Sequence, residues 1–162
     1  MSNNYRPHIH VVPEDDANRQ IANGFIQVPN VDNRAVKVLP LAGGWKKAVD
    51  EFKKEYASEM QQIPERMMVF LIDFDNKYES RLNYVENRIP PDLKARVFVL
   101  GVLSEPRNLK TALNQKSYEE IGKALAKDCS DHRHELWGHD LLKHNKAELD
   151  RMPLSVKQLL FK

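Results

Sequence analysis

Apolar residues in this chain come as short β-branched runs and as helical stripes, separated by polar breaks that carry proline, glycine or clustered acids. Ile9-His10-Val11-Val12 stops at Pro13 and empties into Glu14-Asp15-Asp16, which reads as a strand followed by a turn. Asp15 or Asp16 can cap a helix in which Ala17, Ile21 and Phe25 fall four apart on one face. Asn30 to Asn33 is loop. Ala35 to Leu41 reads as a second strand, broken by Gly43-Gly44 before a helix with Trp45, Val49, Phe52, Tyr56 and Met60 on one face. After Pro64, Met67 to Ile72 is apolar without alternation, as expected of a central parallel strand covered on both faces. It ends abruptly in Asp73-Phe74-Asp75-Asn76-Lys77. Tyr78, Leu82, Val85 and Ile89 then keep helical spacing as far as Pro90-Pro91. Residues 96–103 form a fourth buried run leading to Ser104-Glu105-Pro106-Arg107. Helical segments around 118–127 and from His134 onward complete the chain.

Strands alternating with helices predict an α/β fold of Rossmann-like type, with a mostly parallel central sheet of about four strands flanked by helices. The length of 162 residues suits one domain. A core over about 8–115 and a helical C-terminal extension over about 116–162 are expected. A composition of 41% hydrophobic and 30% charged residues excludes wholesale disorder and fibrous repeats. Apolar runs fall far short of the ~20 residues that span a bilayer, so no membrane partner is expected. The lone Cys129 has no intramolecular disulfide partner, and MSNNYRPHIH lacks a secretory leader's apolar stretch. Both lead us to expect a cytoplasmic protein.

In parallel α/β sheets the ligand site lies beyond the carboxyl ends of the strands. Three such ends deliver acids here: Glu14, Asp15 and Asp16; Asp73 and Asp75; and Glu105. Carboxylates crowded together repel by several kcal/mol at protein-surface dielectric, and a bound cation removes that cost. An open, all-oxygen site suits Mg²⁺ or Mn²⁺. Asp73-x-Asp75 is the strongest piece, since alternate residues at a strand end can aim two oxygens at one ion.

These residues resemble the TOPRIM family of topoisomerases, bacterial primases, OLD-type nucleases and small stand-alone proteins. VVPEDD with Glu14, VLPLAGG with Gly43 and Gly44, and VFLIDFD with Asp73 and Asp75 are similar to its three motifs, over about residues 8 to 115. Asp15 stands where the family usually carries Gly, and Pro13 precedes the Glu. The resemblance implies Glu14 as general acid or base in phosphoryl transfer on a nucleic-acid phosphodiester, DNA or RNA, in a nuclease. It further implies Asp73, Asp75 and Glu14 as Mg²⁺ ligands, with Glu105 as an additional acid. Asp15 and Asp16 would then support the ligands from behind. Lys77, Arg81, Arg107 and Lys110 flank the acids and are candidates for phosphate contact.

Receiver domains of response regulators offer a second resemblance, with the acids at 14 to 16, a phosphoacceptor at Asp73 or Asp75, and Ser104. No β-run ending in Lys-Pro follows residue 105, which ranks it behind the first. A third reading is a non-catalytic subunit whose acidic edge binds a partner protein or a second copy. Lys+Arg of 25 against Asp+Glu of 23 gives +2, so nucleic-acid contact must come from a local patch. Cys129, His132, His134, His139 and His144 have a loose zinc-like or nucleophile-like spacing, which we read as surface and capping residues. Trp45, Phe52 and Tyr56 are read as core rather than a stacking platform, and His8 and His10 as strand-edge residues.

Overall fold

The computed structural model describes residues 8–161. The expectation about a leader falls on residues 1–7, outside the described residues. Among the described residues, four strands form one parallel sheet in the order β2-β1-β3-β4: β1 (His8–Pro13), β2 (Val36–Val38), β3 (Arg66–Leu71) and β4 (Val97–Leu100). Helices flank it: α1 (Asp16–Ile26), α2 (Trp45–Glu51) running through a π-helical turn (Phe52–Tyr56) into α3 (Ala57–Gln62), α4 (Tyr78–Glu86), α5 (Pro106–Ala112), α6 (Tyr118–Ser130), α7 (Lys146–Arg151) and α8 (Leu154–Leu160). This is the α/β, Rossmann-like architecture that the alternation predicts. No helix among the described residues is long and apolar enough to cross a membrane.

The π-helical turn keeps Val49, Phe52 and Met60 fully buried on one side of the sheet, with Phe70, Ile72, Phe74, Val97 and Val99. Strand β2 is shorter than its apolar run suggests, because Pro40 cannot donate to a ladder and Leu41 lies exposed. In β3, Arg66, Met68 and Phe70 are buried while Met67, Val69 and Leu71 are only half-buried. The half-buried set borders a cavity of about 460 Å³, roofed by Ala22 and Phe25 of α1 and by Met152 and Val156. Helix α5 is additional to the elements that the apolar pattern predicts, and Pro106 at its first turn is its start signal. His10 sits in β1, a central strand, and is buried rather than placed at the sheet's edge. Burial is the main cause that pushes its ring down to about 4, with Arg66 and Lys37 adding.

Beyond β4, where a further strand would pair, the C-terminal segment supplies side chains. His144 Nε2 hydrogen-bonds the Gly101 carbonyl at 2.7 Å, and Asn145 donates to that carbonyl and accepts from the Gly101 N–H, both at 3.0 Å. Glu148 accepts from the Val99 N–H at 2.8 Å, and Arg151 donates to the Val97 carbonyl. The open edge is thereby satisfied without a ladder. Glu148→Ala orphans the buried Val99 N–H and unpairs Arg151. We expect it to cost about 2–3 kcal/mol in urea unfolding; an unchanged midpoint would show that the edge finds another partner.

Candidate metal centre

Strand order reverses between β1 and β3, so the crevice at their carboxyl ends is the topological switch point where ligands of open parallel sheets bind. Glu14 follows β1 directly. Its carbonyl accepts the N–H groups of Gly43 at 2.8 Å and Gly44 at 3.2 Å, and its own N–H donates to the Leu71 carbonyl at 2.9 Å. Gly43 has φ +87°, a conformation that costs glycine nothing and a side-chain-bearing residue strain. The glycine turn therefore fastens Glu14 to the sheet from above. Across the crevice, Glu14 Oε1 accepts the Asp73 N–H at 2.9 Å.

Asp15 is the N-cap of α1, its Oδ1 accepting the Asn18 N–H at 3.0 Å. Asn18 is completely buried. Its Nδ2 donates both to Asp15 Oδ1, at 2.9 Å, and to Asp73 Oδ1, at 2.8 Å. One amide thus ties together the acids of two strand ends. Carboxylate oxygens of Glu14, Asp15 and Asp73 lie within 4.8 Å of one another. Burial first, then the charges of Glu14, Asp15 and Glu105, push the Asp73 carboxyl up to about 7, against the Asn18 hydrogen bond. The Glu14 carboxyl is also raised, mainly by burial and further by Asp15, with the Asp73 N–H and Arg81 opposing.

The other acids lie outside this group. Asp75 has φ +50° and a side chain 66% exposed, 3.4 Å from Arg81 Nη2. Glu105 occupies the N-cap position of α5 without a side-chain capping bond and lies 3.6 Å from Arg107, close enough for its charge to reach Asp73. Asp16 is exposed and bonds Arg19 and Gln20, the Arg19 bond holding its carboxyl below the usual range. Among the flanking cations, Arg81 donates to the Asp73 carbonyl at 2.7 Å and so braces the β3 end. Lys77 precedes α4 on the surface, and Arg107 is exposed. Ser104 is buried, its Oγ accepting from Asn108 at 3.0 Å.

Sequence reasoning missed Asn18 and Tyr118. The Asp15-x-x-Asn18 spacing was the available signal for the first. Tyr118 feels the charges of Arg107, Asp15, Glu105 and Asp73, and Lys110 lies 5.1 Å from its ring centroid. The Cys/His stretch forms no metal-ligating group among the described residues. Cys129 is pushed up to about 11 by burial, so its thiol is protonated at neutral pH. His139 Nδ1 accepts the Leu141 N–H at 3.0 Å. His144, besides its bond to Gly101, meets the Phe74 and Tyr78 rings edge-on.

The triad's donors are all hard oxygens, the ligand type that Mg²⁺ and Mn²⁺ prefer. Burial is the main cause of the upward push on the two carboxyls, and the smaller part that comes from neighbouring acids is what a cation would relieve. Three carboxylates so grouped could hold a divalent ion. Comparison with family models, curated proteins and solved structures finds no match for the chain.

Proposed function

We propose that the chain is a Mg²⁺- or Mn²⁺-dependent, TOPRIM-like protein acting on nucleic-acid phosphodiesters, and specifically a nuclease. The observation that carries this reading is the grouping of Glu14, Asp15 and Asp73 at the switch point, held by Asn18. Asp73 and Asp15 would hold the ion together with Glu14, and Asp75 and Glu105 stand at the rim of the same crevice. An ion held there would supply positive charge to neutralise a phosphate and to make water more acidic. Glu14 Oε1 is engaged by the Asp73 N–H, which orients the carboxylate. A carboxylate so oriented could take a proton from an attacking water or return one to a leaving oxygen. Arg81 keeps the Asp73 backbone in place from below.

The test is cleavage of labelled single- and double-stranded DNA and RNA with Mg²⁺, Mn²⁺ or EDTA. Metal-dependent products are expected from the wild type and none from Glu14→Gln. Products that persist in EDTA or survive Glu14→Gln would overturn the assignment.

The strand order and the acids beside Asp73 also favour a second reading, a receiver-like phosphoacceptor. It predicts an acid-labile phosphate adduct on Asp73 or Asp75 after acetyl-phosphate treatment, visible by mass spectrometry. An unmodified mass under conditions that label a receiver domain excludes it.

A further inference from the structure

Next to the acidic crevice, rings and cations interleave on the surface formed by α2 and α4. Trp45 opens α2 immediately after Gly44, whose N–H bonds the Glu14 carbonyl. Its ring meets Tyr84 edge-on at 4.9 Å between centroids. Lys46 Nζ lies 5.5 Å from the Trp45 ring centroid and 5.3 Å from that of Tyr84. The Arg81 guanidinium is 4.7 Å from Trp45 and the Arg88 guanidinium 3.4 Å from Tyr84. Arg81, Tyr84 and Arg88 recur at helical spacing from α4 into the turn after it. The stripe therefore extends about 10 Å from the crevice, the reach of two or three stacked nucleotides at ~3.4 Å each.

Internal packing does not account for all of these cations. Arg81 is committed to the Asp73 carbonyl and to Asp75. Lys46 and Arg88 form no ion pair among the described residues; Arg88 Nη1 bonds only the Tyr84 carbonyl, at 3.0 Å. Lys46 is exposed, and Trp45, Tyr84 and Arg88 are half-buried, the two rings packing on the core while each residue keeps part of its surface in solvent. A polyanion whose flat groups stack on rings and guanidinium planes satisfies both features. A duplex hides its bases from such a surface.

We propose that Trp45, Lys46, Tyr84 and Arg88 form a binding track for single-stranded nucleic acid that leads into the Glu14/Asp15/Asp73 crevice. This deepens the nuclease reading and rests on it for what happens at the crevice, but binding along the track requires no metal. Lys46 and Arg88 contact phosphates, and the Trp45 and Tyr84 rings stack bases.

Fluorescence anisotropy of a labelled oligothymidylate, in EDTA and over a salt series, tests the track. The Lys46→Ala/Arg88→Ala double variant should weaken binding by roughly 10-fold or more and lower the salt slope by about 1.4. Tyr84→Leu should weaken it by about 5-fold or more. An abasic strand of equal length and a blunt duplex should both bind less tightly than the oligothymidylate. Equal affinity for the abasic strand, or an unchanged affinity in the double variant with its melting temperature intact, overturns the track. Binding that follows these expectations without any metal-dependent cleavage sinks only the nuclease reading. Cleavage whose KM is indifferent to the double variant sinks only the track.

Discussion

Asp73→Asn should abolish the response to Mg²⁺ and Mn²⁺, lower metal-dependent cleavage by at least ~10³-fold, and yet raise the melting temperature of the metal-free protein at pH 8. Asparagine keeps the shape of the side chain and keeps Oδ1 as acceptor for Asn18 Nδ2, so the packing survives while the charge goes. The folded carboxyl titrates at about 7 instead of its ordinary 3.8, because of burial and then the neighbouring acids. A raised acid binds its proton more tightly folded than unfolded, so the folded state binds more protons between these values. The penalty is absent below about pH 4, grows through the interval, and is complete above about pH 7. Solvent reaches part of the group, so a discounted cost of about 1–2 kcal/mol at pH 8 is appropriate. That corresponds to roughly 2–8 °C in a chain of this size. The deficit of wild type relative to the variant should therefore grow from pH 4 to 8, the lowered His10 and His144 being common to both, and Mn²⁺ should restore wild type by mass action. Scanning calorimetry across that range, with and without the ion, separates the two effects. A variant that tracks wild type in both pH profile and Mn²⁺ response would remove Asp73 from the metal site.

The same residue shows what the sequence makes legible and what it does not. Strands β3 and β4 are readable because a parallel sheet covered by helices is apolar along its whole length, and the acids at their ends follow from the strand boundaries. Which acids converge depends on local conformations that composition does not display. Capping draws Asp15 into the crevice while its neighbour Asp16 turns to Arg19 and Gln20. A left-handed backbone at Asp75 leaves that side chain largely in solvent. Asn18 was illegible because its second partner is 55 residues away. His144, Asn145 and Glu148 were illegible for the same reason, since nothing local marks a side chain that substitutes for a missing strand. As the spacing predicts, Phe52 is fully buried and Tyr56 packs half-buried against the same core, and so does Trp45. Its edge-on contact with Tyr84 lies across two helices that the spacing of either one cannot reveal.

Gly122→Ala should destabilise the protein by roughly 3 kcal/mol, against the sign that helix propensity alone dictates. In an exposed helix interior the exchange would gain about 1 kcal/mol. Here α1 and α6 cross with their backbones in contact. A Cβ at Gly122 would lie 1.9 Å from the Ile21 carbonyl oxygen and 2.8 Å from the Phe25 nitrogen, and one at Gly24 would lie 2.0 Å from the Glu119 oxygen. Neither neighbour is a side-chain tip that can swing away, so the helices must separate. Separation loosens Ile21, Ile121 and Leu125, which are buried in this seam. It also displaces α1, whose first turn carries Asp15 and Asn18. Urea unfolding should show the loss, and Mn²⁺ titration of the folded variant should show weakened binding although no ligand has been touched. A stabilised Gly122→Ala protein would mean that α6 packs differently, and the helix that positions the crevice would then be held by other contacts.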